Sequence, residues 1–323
     1  MNQPREYKGP ARWLSYVMGR IMISILMRLP ISLSWYLGRS LGWLLWLLLT
    51  SRRRAVRANL RIISKWARGT GQSDPLETRT IEAAVREVFM RNGANFTCGF
   101  SLSGKRPEQL AKHIEMRNSG PLRKATQNGR GAVLLLSHMG PWEALAHHLS
   151  EIFRAQGINN ALGAIYRRFN NDYMDHWYKT RRESKGTTMF GSRYKFYAPV
   201  EFVRQGGILG ILSDQRASGG EEVTYFGKTT KATPLPGLIH LRAKALWFGL
   251  SMQTVGFAKW RITIHEVPSH LDGTERNRKA LAQTSASACQ ASLMESVIDG
   301  FWINNRFKDA LEREAEERDS SKH

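Results

Sequence analysis

A run of seven residues, Gly131-Ala-Val-Leu-Leu-Leu-Ser137, constrains this chain more than any other stretch. It is continuously apolar yet short, the mark of a strand covered on both faces. Its surroundings agree. Ala161–Tyr166, Gly207–Ser213 and Met252–Phe257 read as further strands, and Pro141–Ile152, Tyr173–Arg182 and Leu238–Ala245 read as helices. Alternation of this kind predicts an α/β core over residues 125–308, with a central sheet flanked by helices.

The N-terminus is different in character. No acidic residue occurs from Trp13 to Leu49. The apolar run Ile21–Met27 is interrupted by Arg28 and Pro30, and Ile31–Thr50 then continues with Arg39 as its sole charge. The second run has about the length of a bilayer crossing. Trp35, Tyr36, Trp43 and Trp46 instead suit a segment lying at the headgroup boundary, so spanning and flat placements both stay open. Arg52-Arg53-Arg54, Arg57, Arg61, Lys65 and Arg68 follow with no intervening acid. A basic stretch beside an apolar one favours the cytoplasmic side and anionic headgroups. No small-x-small cleavage site follows the apolar stretch, which argues against a secretory signal peptide. Residues 1–68 are therefore expected to be a membrane-anchoring and basic helical segment. Residues 69–124 form a helical region, read as helix over 76–118, capped by Asp74-Pro75 or Thr80 and broken at Gly93 and Gly99. Residues 309–323 read as a charged, flexible tail.

Charge narrows the partners. Lys and Arg number 48 against 27 Asp and Glu, a net charge of +21. Anionic partners follow: phospholipid, a phosphorylated or acidic substrate, or nucleic acid. A non-catalytic basic protein at a membrane or on nucleic acid would carry such a charge as well. However, the basic residues are not interleaved with aromatics as in a recognisable DNA or RNA module, so no nucleic-acid partner is expected. Two cysteines, Cys98 and Cys289, exclude a disulfide scaffold or a four-cysteine zinc site. No other ligand cluster is apparent, and neither metal nor cofactor is expected.

The sharpest local feature is Ser137-His138-Met139-Gly140-Pro141-Trp142-Glu143. A buried strand ends at His138, Gly140 permits a tight turn, and Pro141 suits a helix start. Across so short a turn the Glu143 carboxylate can reach an imidazole nitrogen, fix its tautomer and leave the other nitrogen as a general base. The plainer alternative is a helix-capping glutamate beside an incidental histidine. His147 and His148 do not complete a His-Glu-x-x-His zinc motif and read as ordinary helix residues.

His138-x4-Glu143 at a strand–helix turn, downstream of the basic segment, resembles the first block of the lysophospholipid acyltransferase superfamily. More narrowly the chain resembles the bacterial lipid A biosynthesis lauroyl/myristoyl acyltransferases, from about residue 10 to residue 308. Arg53 with Ala58-Asn59-Leu60 looks like that family's Arg…Asn-Leu segment. Ile165-Tyr166-Arg167 with Asn170-Asn171 and Arg182 resembles its second block, although Arg168 stands where that block often has proline. Ile211-Leu212-Ser213-Asp214-Gln215 resembles its Asp-Gln block, Tyr225-Phe226-Gly227 with Thr233-Pro234 the next, and Phe301-Trp302 with Arg306-Phe307-Lys308 the C-terminal one.

The resemblance implies a mixed central sheet of the glycerol-phosphate acyltransferase type. It implies an O-acyltransferase on the cytoplasmic face of the bacterial inner membrane, in contact with its lipids. A fatty acyl chain would pass from an acyl carrier protein thioester to a hydroxyl of a lipid A precursor or a related anionic glycolipid. A phosphatidylinositol mannoside or lysophospholipid acceptor is the alternative. His138 would be the base and Glu143 its orienter, with Arg167, Arg182, Asp214 and Gln215 binding substrate. The absence of a Gly-x-Ser-x-Gly elbow agrees with direct transfer without an acyl-enzyme.

Overall fold

The computed structural model describes residues 7–191, 196–271 and 276–312. Four helices lead: α1 (Pro10–Arg28), α2 (Ile31–Leu48), α3 (Thr50–Gly69) and α4 (Ile81–Ser103), followed by the short α5 (Pro107–Leu110). The core then runs β1 (Ile114–Arg117), α6 (Gly120–Thr126), β2 (Ala132–Leu136), α7 (Trp142–Arg154), β3 (Leu162–Tyr166), α8 (Asp172–Glu183) and β4 (Thr187–Gly191). It continues with α9 (Tyr197–Arg204), β5 (Ile208–Leu212), the hairpin β6 (Glu221–Tyr225) and β7 (Lys228–Ala232), α10 (Leu235–Ala243), β8 (Leu246–Gly256), β9 (Lys259–Glu266) and α11 (Arg278–Met294).

Seven strands form one sheet in the order β1-β9-β8-β2-β5-β3-β4. Every neighbouring pair is parallel except β8 and β9, so the sheet is mixed as expected. The apolar run of residues 131–137 holds β2, the middle strand. Its alternate residues serve two cores, because successive side chains of a strand point to opposite faces. Ala132 and Leu134 pack with α7 (Leu145, Leu149, Phe153), while Val133 and Leu135 pack with α3, α9 and α11.

Several local expectations are corrected. Helix α4 runs unbroken through Gly93 and Gly99. These glycines serve close packing: a Cβ on Gly93 would lie 2.1 Å from the Gly38 carbonyl oxygen, and one on Gly42 would lie 2.2 Å from that of Phe89. Helices α2 and α4 therefore cross backbone to backbone, as small-residue spacing allows. Residues 114–117 leave the expected helix to form β1. Thr80 is the α4 cap, accepting from Ala83 N at 3.3 Å. Of the expected tail, residues 309–312 are helical, and 313–323 lie outside the described residues.

Arg39, the lone charge of the second apolar run, turns inward and makes a two-pronged ion pair with Glu87 of α4 at 2.8 and 2.9 Å. The outward surface of α1 and α2 is left apolar, with Trp13, Met18, Ile21, Ile25, Tyr36 and Leu48 among its exposed side chains. Among the described residues no helix is long and apolar enough to cross a membrane.

Candidate active site

Sheet order brings the key residues together. β2 and β5 are parallel neighbours in a register that pairs Leu136 with Leu212. Ser213 N extends the ladder by donating to the Leu136 carbonyl at 3.0 Å. His138 and Asp214 each lie two residues beyond those paired leucines, at the carboxyl ends of adjacent strands, where open α/β sheets hold their ligands. The outcome is a 2.6 Å contact between His138 Nδ1 and Asp214 Oδ1. Gly140 then turns the chain with φ of 61°, passing so near Met252 that a Cβ there would sit 2.3 Å from its carbonyl oxygen.

The carboxylate on the imidazole is thus Asp214, where the spacing argument expected Glu143. Glu143 Oε2 instead accepts from Tyr178 OH at 2.8 Å and from Arg182 Nη2 at 2.9 Å, both on α8. The reason is helical geometry. Helix α7 begins at Trp142 rather than at Pro141, and position 143 then faces α4 and α8, with its Cβ 3.2 Å from the place a Cβ on Gly99 would take. Sequence reasoning passed over Tyr178, whose tyrosine-on-helix context carried no signal of its own.

Asp214 is 4% exposed, and each of its carboxylate oxygens has a partner. Gln215 Nε2 donates to its Oδ2 at 3.1 Å, and Asn304 Nδ2 donates in turn to Gln215 Oε1 at 3.1 Å. Asn304 is itself fixed through its carbonyl, to which Asn59 of α3 donates at 3.0 Å. Trp142 and Phe301 flank the imidazole, with ring centroids 5.5 and 6.3 Å away. Segments far apart in sequence therefore converge on one histidine.

Electrostatics follow from these contacts. Burial works to lower the His138 pKa, but the charge and hydrogen bond of Asp214, helped by the Glu143 charge, win and hold it above the ordinary imidazole value. Burial likewise works to raise Asp214, and the His138 imidazolium and hydrogen bond hold it below the usual carboxylate range. Glu143 is also depressed: burial opposes, and Arg182 with the Tyr178 hydroxyl prevails. In the neutral imidazole the proton sits on Nδ1, facing Asp214, and Nε2 is the free basic nitrogen. No described residue hydrogen-bonds Nε2.

His138 stands at the mouth of a cavity of about 640 Å³ between α7 and strands β2, β3 and β5. Leu134, Leu145, Leu149, Leu162 and Ile208 make its walls apolar. Its floor is open because Ala164 and Gly210, register partners on β3 and β5, carry almost no side chain. Arg167 and Gln215 line the same cavity, as do Glu143 and Arg182. Arg167 is exposed and pairs with no described carboxylate, while its neighbour Arg168 is held by Asp175 at 2.8 Å. Arg182 spends one nitrogen on Glu143 and keeps its buried Nε without a partner. His147 Nδ1 donates to the Glu143 carbonyl at 3.0 Å, and His148 lies between Glu151 and the Leu102 carbonyl, so both rings are held within the helix packing.

An imidazole–carboxylate pair at strand ends, opening on a deep apolar cavity, suits proton transfer beside a hydrocarbon-bearing substrate. The chain belongs to the bacterial lipid A biosynthesis acyltransferase family, whose pattern it matches over residues 1–309. It is accordingly an acyltransferase of lipid A synthesis. No curated protein matches the chain.

Proposed function

We propose that the protein moves a fatty acyl chain from the thioester of an acyl carrier protein to a hydroxyl of a lipid A precursor, with His138 as general base and Asp214 as the group that orients it. The observation that carries this reading is the 2.6 Å His138–Asp214 contact at the mouth of an apolar cavity. The acceptor hydroxyl gives its proton to His138 Nε2 as its oxygen bonds to the thioester carbonyl carbon. The tetrahedral intermediate collapses by breaking the C–S bond, and the proton on Nε2 passes to the departing thiolate. No acyl-enzyme forms. Arg167, whose guanidinium lines the cavity and pairs with no carboxylate among the described residues, meets an acceptor phosphate or the carbonyl oxygen that gains charge.

Membrane attachment in this reading uses the outward apolar surface of α1 and α2, laid flat on the cytoplasmic face of the inner membrane, with the arginines of α3 among anionic headgroups. The basic surface also suits docking of an acidic carrier protein. The direct test is lipid mass spectrometry of cells with and without the protein. One added fatty acyl group on a lipid A precursor is expected, and its absence sinks the reading. With purified protein, transfer from an acyl carrier thioester should exceed transfer from the matching coenzyme A thioester.

The cavity floor carries a second test. Gly210→Val places methyl groups where the acyl chain lies, with Leu136 Cδ1, the end of a flexible side chain, as the nearest neighbour at 3.0 Å from the new Cβ and the Gly163 carbonyl oxygen at 3.7 Å. Each excluded methylene costs roughly 0.8 kcal/mol, about fourfold in preference. Product mass spectra should move to shorter chains. An unchanged chain-length profile in an active variant places the acyl chain elsewhere.

The raised His138 pKa predicts the pH profile. Because the base must be neutral, the acid limb of kcat/KM should have its midpoint above 6.5, the ordinary imidazole value. Asp214→Asn removes the stabilising charge and should move that midpoint to lower pH while the plateau falls.

A further inference from the structure

A second concave site lies one residue along α8 from the catalytic cavity. Arg182 lines the cavity, whereas Arg181 lines a separate groove of about 410 Å³ with Arg20, Ser24 and Arg28 of α1, Trp177 of α8 and Gly104. Among the described residues no carboxylate lines this groove. The three arginines reach neutral groups: Arg20 donates to Tyr16 OH at 2.9 Å, Arg28 to the Ser24 carbonyl at 2.9 Å and Arg181 to Ser103 Oγ at 3.0 Å. None ion-pairs with a carboxylate among the described residues. Burial pulls the Arg181 guanidinium below its usual value, with Tyr178 and Glu143 offsetting this in part. Glu143 is already committed to Arg182.

Helix ends account for part of this charge. The C-terminal turns of α1, α4 and α8 meet at the groove, and each contributes about half a negative charge. Together they offset at most about half of three guanidinium charges, so a positive surplus remains. The groove's flank is greasy. On α1, positions 20, 24, 27 and 28 face the groove, and the adjoining stripe of Met18, Ile21, Met22 and Ile25 is half or more exposed. A positively charged hollow beside an apolar stripe matches a molecule with an anionic head and hydrocarbon tails. Converging guanidinium forks favour phosphate in particular.

We propose that Arg20, Arg28 and Arg181 form a binding site for the phosphate head of an amphiphile whose tails lie along α1. The proposal rests on the membrane-facing placement of α1 given above, and its binding test needs no acyl transfer. Two sources share this chemistry: the headgroup of a bulk anionic lipid, and a phosphate of the acceptor glycolipid.

The test uses the full chain in neutral maltoside micelles, titrated with phosphatidic acid and, separately, with diacylglycerol. Wild type should bind the former well and the latter poorly. Losing charge-assisted contacts should weaken phosphatidic acid binding by about tenfold or more in R20Q/R28Q/R181Q. The milder R20Q/R28Q, altered only at exposed positions, should lose about half of that effect on a logarithmic scale. R79Q/R86Q/R130Q lowers the net charge equally at exposed sites away from the groove and should stay within about twofold of wild type. Equal losses in the two triple variants, or no loss in the first, overturn the site.

Displacement by inorganic phosphate at matched concentration would assign the groove to the free anion and overturn the amphiphile. In acyl transfer, a KM increase confined to phosphorylated acceptor, absent with its dephosphorylated form, assigns the groove to the acceptor. Equal increases assign it to bulk lipid. A wild-type protein that binds phosphatidic acid through these arginines yet transfers no acyl group would refute the proposed function and keep the site.

Discussion

Replacing Asp214 by Asn is expected to lower kcat/KM by about 10²–10⁴-fold, as is replacing His138 by Ala, while the fold is retained. The asparagine amide fits the same space but can donate as well as accept. An NH₂ group turned toward Nδ1 makes that nitrogen the acceptor, moves the ring proton to Nε2 and removes the base. It also removes the charge that stabilises the imidazolium formed when the acceptor hydroxyl loses its proton. Combining His138→Ala with Asp214→Asn should cost little more than the first change alone, because the two side chains act as a unit. Glu143→Gln is the informative control. It keeps the shape of the cavity wall but leaves the 2.6 Å His138–Asp214 contact untouched, so its effect on kcat/KM should be at least about tenfold smaller. If a stably folded Glu143→Gln enzyme is as damaged as Asp214→Asn, Glu143 works on the imidazole directly and the orienting role belongs to it.

How far this pairing was legible in the sequence depends on which level of structure encodes it. The strand Gly131–Ser137, its C-terminal histidine and the turn at Gly140 were all readable, because local apolar patterning and turn chemistry specify them. The identity of the carboxylate that meets the imidazole was not. His138 and Glu143 look close along the chain, but helical phase from Trp142 onward sends position 143 toward α8. His138 and Asp214 are 76 residues apart, and their meeting depends on β5 inserting between β2 and β3, which no local pattern dictates. A weak clue did exist. Both strands end in the same way, Leu136-Ser137-His138 and Leu212-Ser213-Asp214, so adjacent parallel pairing in register would set the two side chains abreast. The Gly93 and Gly99 readings failed for a related reason. Glycine lowers helix propensity by about 1 kcal/mol, and propensity alone suggested a break, whereas the close α2 crossing at Gly93 and the approach of α7 at Gly99 favour a residue without a side chain. The resemblance blocks Ala58-Asn59-Leu60 and Phe301-Trp302 with Arg306-Phe307-Lys308 were legible as residues but not as neighbours, and Asn304 between the latter pair was not singled out, since only tertiary folding joins α3 to the C-terminal segment.

Arg182→Met should destabilise the protein by about 3–5 kcal/mol at pH 7, measured by urea unfolding, because it strands a buried carboxylate. The Arg182 and Glu143 side chains are 13% and 15% exposed, so solvent screens their pair little. Tyr178→Phe removes one hydrogen bond to the same carboxylate and should cost about 1.5–3 kcal/mol. Removing both charges tests the assignment: Arg182→Met with Glu143→Leu should recover much of the loss, since replacing a buried pair by apolar groups is often neutral. The pH dependence has a definite sign. Glu143 has a folded-state pKa below its ordinary 4.5, so the wild-type pair contributes its full stability above that ordinary value and loses it as pH falls through the depressed one. In Arg182→Met burial acts without its main counterweight, the Glu143 pKa rises, and protonation relieves the stranded charge. The gap between variant and wild type should therefore narrow as pH is lowered from 7 toward 5. A gap that is small at pH 7, or one that widens on acidification, would mean that this pair is not desolvated and that α7 and α8 are held together by their apolar contacts alone.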